Sequence, residues 1–151
     1  MQKVFIKPIA NLPAARAFVK ALYEEYLHQD ENFVVLLEGG LGVGKTFLVR
    51  EWLQCFGVAS EITSPTYALV NEYENNVGQS FAHFDFYRLE TPEDFFARGF
   101  TDIAEDRAVH CFVEWPEKIS ELALQCFSGT VYQLRLEFGD DPNMRTVTLC
   151  R

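Results

Sequence analysis

Apolar positions along this chain change period several times, and each change marks an element. Val4–Ile6 is a short apolar start that reads as a strand. Asn11 is placed to cap a helix, with Pro13 in its first turn. Phe18, Leu22 and Tyr26 then recur at four-residue spacing, which carries that helix to about His28. Residues 33–37, FVVLL, have no polar position at all. A strand with that pattern is covered on both faces, as in the middle of a parallel sheet. A glycine-rich segment, 39–44, follows directly. From residue 45 to 56 the period is helical again through Phe47, Leu48, Trp52 and Phe56, and it stops at Gly57.

The middle of the chain alternates as strands do. TYALVNEY (66–73) and SFAHFDFY (80–87) flank a turn at Asn75–Gly78, which predicts a hairpin. Thr91-Pro-Glu-Asp94 reads as a capping box opening a helix over about 92–98. VHCFV (109–113) is a further apolar strand ending at Glu114-Trp115-Pro116, followed by a short helix over about 116–124. VYQLRLEF (131–138) and RTVTLC (145–150) alternate cleanly and are joined by a Gly-Asp-Asp-Pro-Asn turn. The sum is an α/β fold, with a mixed sheet flanked by helices and the strand–loop–helix unit of residues 33–56 at its centre.

Composition sharpens this picture in a few places. At 151 residues the chain fits one domain, and its 14 phenylalanines predict a core rich in aromatic packing. The net charge of −9 argues against direct electrostatic binding of nucleic acid, although other subunits could make those phosphate contacts. The four cysteines, Cys55, Cys111, Cys126 and Cys150, form no C-x-x-C pair and read as buried free thiols of a cytoplasmic protein. No apolar run is long enough to span a membrane, and the first residues lack the pattern of a secretory leader.

The chemistry lies in residues 39–46, GGLGVGKT, which match G-x-x-x-x-G-K-[ST]. Gly39, Gly40, Leu41, Gly42, Val43 and Gly44 form a loop whose backbone N–H groups can approach phosphate oxygens. The helix that begins at Lys45 points its positive dipole end at the same anion, and Phe47 lies in its first turn. Lys45 reaches the β- and γ-phosphates of a nucleoside triphosphate, and the Thr46 hydroxyl ligates magnesium. Such a site also needs an acid at the end of a neighbouring strand. Glu114 and Asp85 both qualify. Glu114 follows the purer apolar strand and is assigned to magnesium; Asp85 is assigned to supporting it or to positioning the attacking water.

Ser64, Pro65, Thr66 and Tyr67 follow the loop's helix after a short polar connection. They read either as a plain turn before a strand or as a segment that senses the γ-phosphate. Trp115 is a core residue or a stacking surface for a base or a partner. Arg88, Lys118 and Arg145 are phosphate-contact candidates, with surface ion pairing as the plainer role.

Four segments taken together, GGLGVGKT (39–46), SPTYALV (64–70), HFDFYRLE (83–90) and VEWPEK (113–118), resemble the TsaE (YjeE) family, the ATPase component of bacterial threonylcarbamoyl-adenosine tRNA modification. The resemblance implies a single P-loop NTPase-like ATPase domain over 1–151, in three layers, with a centrally parallel mixed sheet and a C-terminal antiparallel portion. It implies ATP and Mg²⁺ as ligands, ADP as product, and slow hydrolysis coupled to TsaD and TsaB. In that cycle TsaD modifies adenosine 37 of tRNAs reading ANN codons, so tRNA is met only indirectly. Lys45, Asp85 and Glu114 then match the catalytic positions, Thr46 and Glu114 the magnesium ligands, and Ser64–Tyr67 the switch-like loop. Arg145 resembles a nucleotide-contacting arginine. Two positions depart from the family's usual pattern: Gly40 stands where Asp is usual, and Phe47 where a second Thr is usual. The alternatives are a nucleotide-dependent interaction module with vestigial hydrolysis and a small P-loop kinase.

Overall fold

A computed structural model describes residues 2–151, the side chains of Val4 and Phe5 excepted. The chain forms one seven-stranded sheet with helices on both faces. In chain order the elements are β1 (Lys3–Ile9), α1 (Leu12–Glu25), β2 (Phe33–Glu38), α2 (Lys45–Cys55), β3 (Val70–Glu74), β4 (Ser80–Asp85), α3 (Asp94–Ala97), α4 (Phe100–Glu105), β5 (Val109–Glu114), α5 (Glu121–Leu124), β6 (Thr130–Phe138) and β7 (Arg145–Cys150). The strand order is β1-β7-β6-β2-β5-β4-β3, so the unbroken apolar strand β2 lies fourth of seven, at the centre. It pairs in parallel with β6 and β5, and β5 in parallel with β4. The two edges are antiparallel: β3 with β4, and β1 with β7 with β6.

The pleat divides the core in two. Phe33, Val35 and Leu37 of β2 join Phe81 and Phe112 under α1 and α2. Val34 of β2 joins Ala82, Phe84, Cys111 and Val113 under α3, α4 and α5. A continuous apolar run was therefore the correct sign of a strand covered on both faces. Trp52 of α2 is fully buried, stacks on Phe112 at 5.8 Å and donates from Nε1 to the Val19 carbonyl at 3.1 Å. That single residue ties the site-bearing helix both to the sheet and to α1. On the other face Phe84, Phe86, Phe95, Phe100 and Phe127 pack edge to face and tilted, in an aromatic layer.

Local signals placed most boundaries. Asn11 Oδ1 accepts from the Ala14 N–H at 2.9 Å, as a cap does. Gly57, at φ +87°, ends α2. Several expectations need correction. Strand β1 runs from Lys3 to Ile9 rather than 4–6, because β7 supplies a full-length partner. Helix α1 ends at Glu25, and a 3₁₀ turn covers Leu27–Gln29. Residues 66–69 are not strand: they cross to β3 with Leu69 in the left-handed region at φ +62°. Phe86 and Tyr87 have left β4, the Phe86 N–H reaching the Glu114 carbonyl. The helix expected over 92–98 is only α3, and Gly99, at φ +75°, starts an α4 that was not anticipated. The helix expected over 116–124 is a 3₁₀ turn at Pro116–Lys118, then α5 capped by Ser120. All four cysteines are free, but only Cys111 is fully buried, and burial pushes its thiol up to about 12.

Candidate functional site

The C-terminal ends of β2, β5 and β4 open toward the first turn of α2. Between β2 and α2 the loop makes left-handed turns at Gly39, Gly42 and Gly44. At Gly39 a side chain is also excluded by space, since a Cβ would sit 2.6 Å from the Leu136 carbonyl oxygen. At Gly42 and Gly44 there is room for a Cβ, and the positive φ alone calls for glycine. Helix α2 starts when the Leu48 N–H bonds the Gly44 carbonyl, leaving the N–H groups of the first turn free to face an anion.

Lys45 is 5 % exposed, and its Nζ donates to the carbonyls of Gly39 and, at 3.1 Å, Gly40. The same ammonium lies 4.1 Å from the centroid of the Trp115 ring. Burial lowers the Lys45 pKa, opposed by the nearby carboxylates of Glu114, Glu117 and Asp85. This lysine is thus held by the loop's own carbonyls and an aromatic face.

Glu114 is the last residue of β5 and is 2 % exposed. Thr46 Oγ1 donates to both of its oxygens, Oε1 at 2.9 Å and Oε2 at 3.0 Å. The buried His83 of β4 lies 2.7 Å from Oε2 through Nε2. Asp85, opposite Glu114 in the parallel register, ends β4. It accepts from the Tyr87 N–H at 3.0 Å and from Ser64 Oγ at 3.4 Å. Burial raises the Asp85 pKa above the usual carboxylate value, and the charge of Glu114 adds to the rise against the opposing Tyr87 bond, His83 and Ser64.

Among the described residues two that are not glycine adopt left-handed backbone, and each adjoins one of these acids. Leu69 receives the Asp85 N–H at its carbonyl, and Trp115 follows Glu114. Such conformations cost on the order of 1–2 kcal/mol each, and they concentrate where a side chain must be aimed.

A cleft of about 260 Å³ is lined by residues 41–47 together with Ser64, Asp85, Tyr87, Glu114 and Trp115. A second, of about 640 Å³, shares Gly42, Val43, Gly44 and Phe47 and continues past Ile9, Leu12, Leu136 and Arg145. The two clefts thus share the wall formed by the loop and the first turn of α2. Thr46 and Glu114 offer oxygen donors only, the set that suits a hard divalent cation. No cluster of three or more acidic, histidine or cysteine metal ligands occurs among the described residues. The remaining coordination positions would fall to water and phosphate oxygens, as magnesium prefers.

The residues singled out from sequence thus largely converge. Residues 41–47, Ser64, Asp85 and Glu114 all meet at the cleft, and Gly39 and Gly40 reach it through their carbonyls on Lys45 Nζ. Of the switch-like segment, Pro65 is buried, while Thr66 and Tyr67 are exposed, Tyr67 under the Arg88 guanidinium at 5.2 Å. Arg145 donates from Nε to the Val43 carbonyl at 3.0 Å and lies over Phe138 at 4.4 Å, so it braces the loop. Arg88 packs on Tyr67, and Lys118 lies 5.9 Å from the Tyr87 ring; neither lines the cleft. His83 was missed. Its signal was a polar residue at a position of β4 on the same face as Phe81, where the pleat demands a partner.

A parallel-centred sheet with a glycine loop leading into a lysine-initiated helix defines the P-loop NTPase-like class. The crystal structure of YdiB from Bacillus subtilis shares this fold, with a TM-score of 0.65 at 22 % identity, over 99 % of this chain and 86 % of that one. The family model described as "Threonylcarbamoyl adenosine biosynthesis protein TsaE" matches residues 9–146, and the chain belongs to that family. The tRNA threonylcarbamoyladenosine biosynthesis protein TsaE of Haemophilus influenzae is 44 % identical over 92 residues, 61 % of this chain and 57 % of that protein. Its namesake from Treponema pallidum is 37 % identical over 91 residues, 60 % of this chain and 65 % of that one. The match therefore spans less than two thirds of the length of these curated relatives.

Proposed function

We propose that this chain binds ATP with magnesium across the loop Gly39–Thr46 and hydrolyses it slowly. The hydrolysis supports threonylcarbamoylation of adenosine 37 in tRNAs reading ANN codons, carried out with TsaD and TsaB. The observation that carries the nucleotide reading is the contact of Thr46 Oγ1 with both Glu114 oxygens, one residue along from the buried Lys45. A hydroxyl and a carboxylate from distant parts of the chain meet beside the loop's lysine, and these two side chains would hold a magnesium ion.

In this reading the triphosphate lies in the smaller cleft and the nucleoside in the larger, where Ile9, Leu12 and Phe47 offer an apolar bed. Lys45 exchanges the carbonyls of Gly39 and Gly40 for phosphate oxygens. Thr46 would offer its hydroxyl oxygen to the cation beside Glu114. Bound magnesium would neutralise charge on the transferring phosphoryl group. Asp85, facing the same cleft, orients the attacking water, and Ser64 couples that acid to the exposed 64–67 segment. The exposure of Tyr67, 80 %, favours a partner-facing role for this segment and keeps the interaction-module reading open.

The test has two parts. Lys45→Ala removes the charge-assisted phosphate contact and is expected to weaken ATP binding by about 100-fold or more in titration calorimetry. Unchanged affinity would sink the site. Formation of threonylcarbamoyl-adenosine in a reconstituted or complemented system is then expected with the wild type and not with Lys45→Ala. ATP binding without that complementation would leave only the interaction-module reading.

A further inference from the structure

The reading of Thr46 and Glu114 as the magnesium side of the site leaves the histidine beside them without an assigned task. His83 is fully buried and lies on the α2 face of β4. Its Nε2 is 2.7 Å from Glu114 Oε2, and its Nδ1 has no partner among the described residues. His110 shares the unpaired Nδ1 but packs among rings, whereas His83 turns its other nitrogen to a carboxylate. The arrangement also fixes which nitrogen donates: Nε2 faces an acceptor and Nδ1 does not.

The two oxygens of Glu114 are held unequally. Oε2 has both His83 and Thr46, whereas Oε1 has only Thr46 among side-chain donors. Once the Thr46 hydroxyl is drawn to a cation, Oε1 loses its donor and Oε2 keeps His83. We infer that His83 is the positioning residue of this carboxylate, clamping Oε2 so that Oε1 is the oxygen presented to magnesium or to its water. This inference rests on the magnesium reading proposed above.

The experiment compares wild type, His83→Leu and His83→Gln by calorimetric titration with ATP, in excess EDTA and in excess magnesium. Equilibrium unfolding is measured for each. Wild type is expected to bind more tightly with magnesium. His83→Leu is expected to keep the EDTA affinity and lose about 10- to 100-fold of the magnesium enhancement, the usual effect of removing a partner that orients a metal ligand. His83→Gln, whose side-chain amide reaches the Nε2 position, is expected to recover most of that loss. If His83→Leu does not fold, His83→Asn replaces it, since its shorter amide stops at the Nδ1 position. A variant without the donor that keeps the wild-type magnesium response overturns the inference. So does a loss that appears equally in EDTA, or one that Gln does not recover. Wild type showing no magnesium-enhanced ATP binding overturns the underlying reading as well, and thus separates the two failures.

Discussion

The two ends of β2, β4 and β5 are made from the same three strands and are chemical opposites. At the C-terminal end Glu114 and Asp85 stand side by side, facing Lys45 and Thr46. At the N-terminal end Phe33 stacks on His110 at 4.5 Å, with Phe81 5.2 Å from the same imidazole and Phe56 closing the group. Both ends bury a histidine on the same sheet face: His83 is fully buried and His110 is 5 % exposed. One finds a carboxylate and the other finds rings. Burial of a titratable group therefore does not mark function by itself. Parallel strands bring all their C-terminal ends to one edge, where the loop and the first turn of α2 also arrive. A polar residue at that edge meets other polar groups, and the same residue at the far edge meets core.

The comparison can be broken most sharply at the aromatic end. Phe33→Ala should destabilise the fold by about 3–5 kcal/mol, as loss of a buried phenyl ring does, while ATP affinity of the folded protein stays unchanged. Urea unfolding and calorimetry below the transition check both halves, and a loss of affinity in the folded variant would mean that the two ends are coupled. A smaller effect is expected within the polar end. Glu114→Ala should remove at least as much of the magnesium dependence of ATP binding as loss of its positioning histidine does, and Asp85→Ala less, with its main cost in the hydrolysis rate. The reverse order would exchange the roles of the two acids.

The smallest effect concerns His110. Burial lowers its pKa below the ordinary 6.5, so the folded state holds the ring neutral. Above that pH neither state binds the proton and stability is unaffected. As pH falls below it, the unfolded chain takes up a proton that the folded chain does not. Stability then declines by up to about 1.4 kcal/mol per pH unit until the lowered value is reached. His110→Phe should flatten that part of the slope as pH falls below the ordinary histidine value in urea titrations. An unchanged slope would show that His110 is not insulated by its rings.

Much of this arrangement was legible along the chain. FVVLL followed by glycines and Lys-Thr identified the central strand, the loop and α2, because all three signals are local and adjoin one another. The Asn11 cap and the Gly57 stop were equally local. The misreadings share a cause. Residues 66–69 alternate like a strand, but no neighbouring strand is available to them until Val70. The helix expected over 92–98 ends at Ala97, and Gly99 starts another, so that Phe95 and Phe100 lie separately on the aromatic layer. In both places packing partners, not pattern, set the backbone.

The string GGLGVGKT by itself determined a loop that only glycines can form and a lysine at the start of a helix, since φ preferences and helix geometry act over a few residues. The family's further segments were readable for the same reason. Only the tertiary structure decided that Thr46 and Glu114, 68 residues apart, share hydrogen bonds. It alone set His83 against the second carboxylate oxygen, and it turned Arg145 inward to brace Val43. Those relations depend on strand order and register. Order and register are set by how the whole core packs, which no single segment encodes.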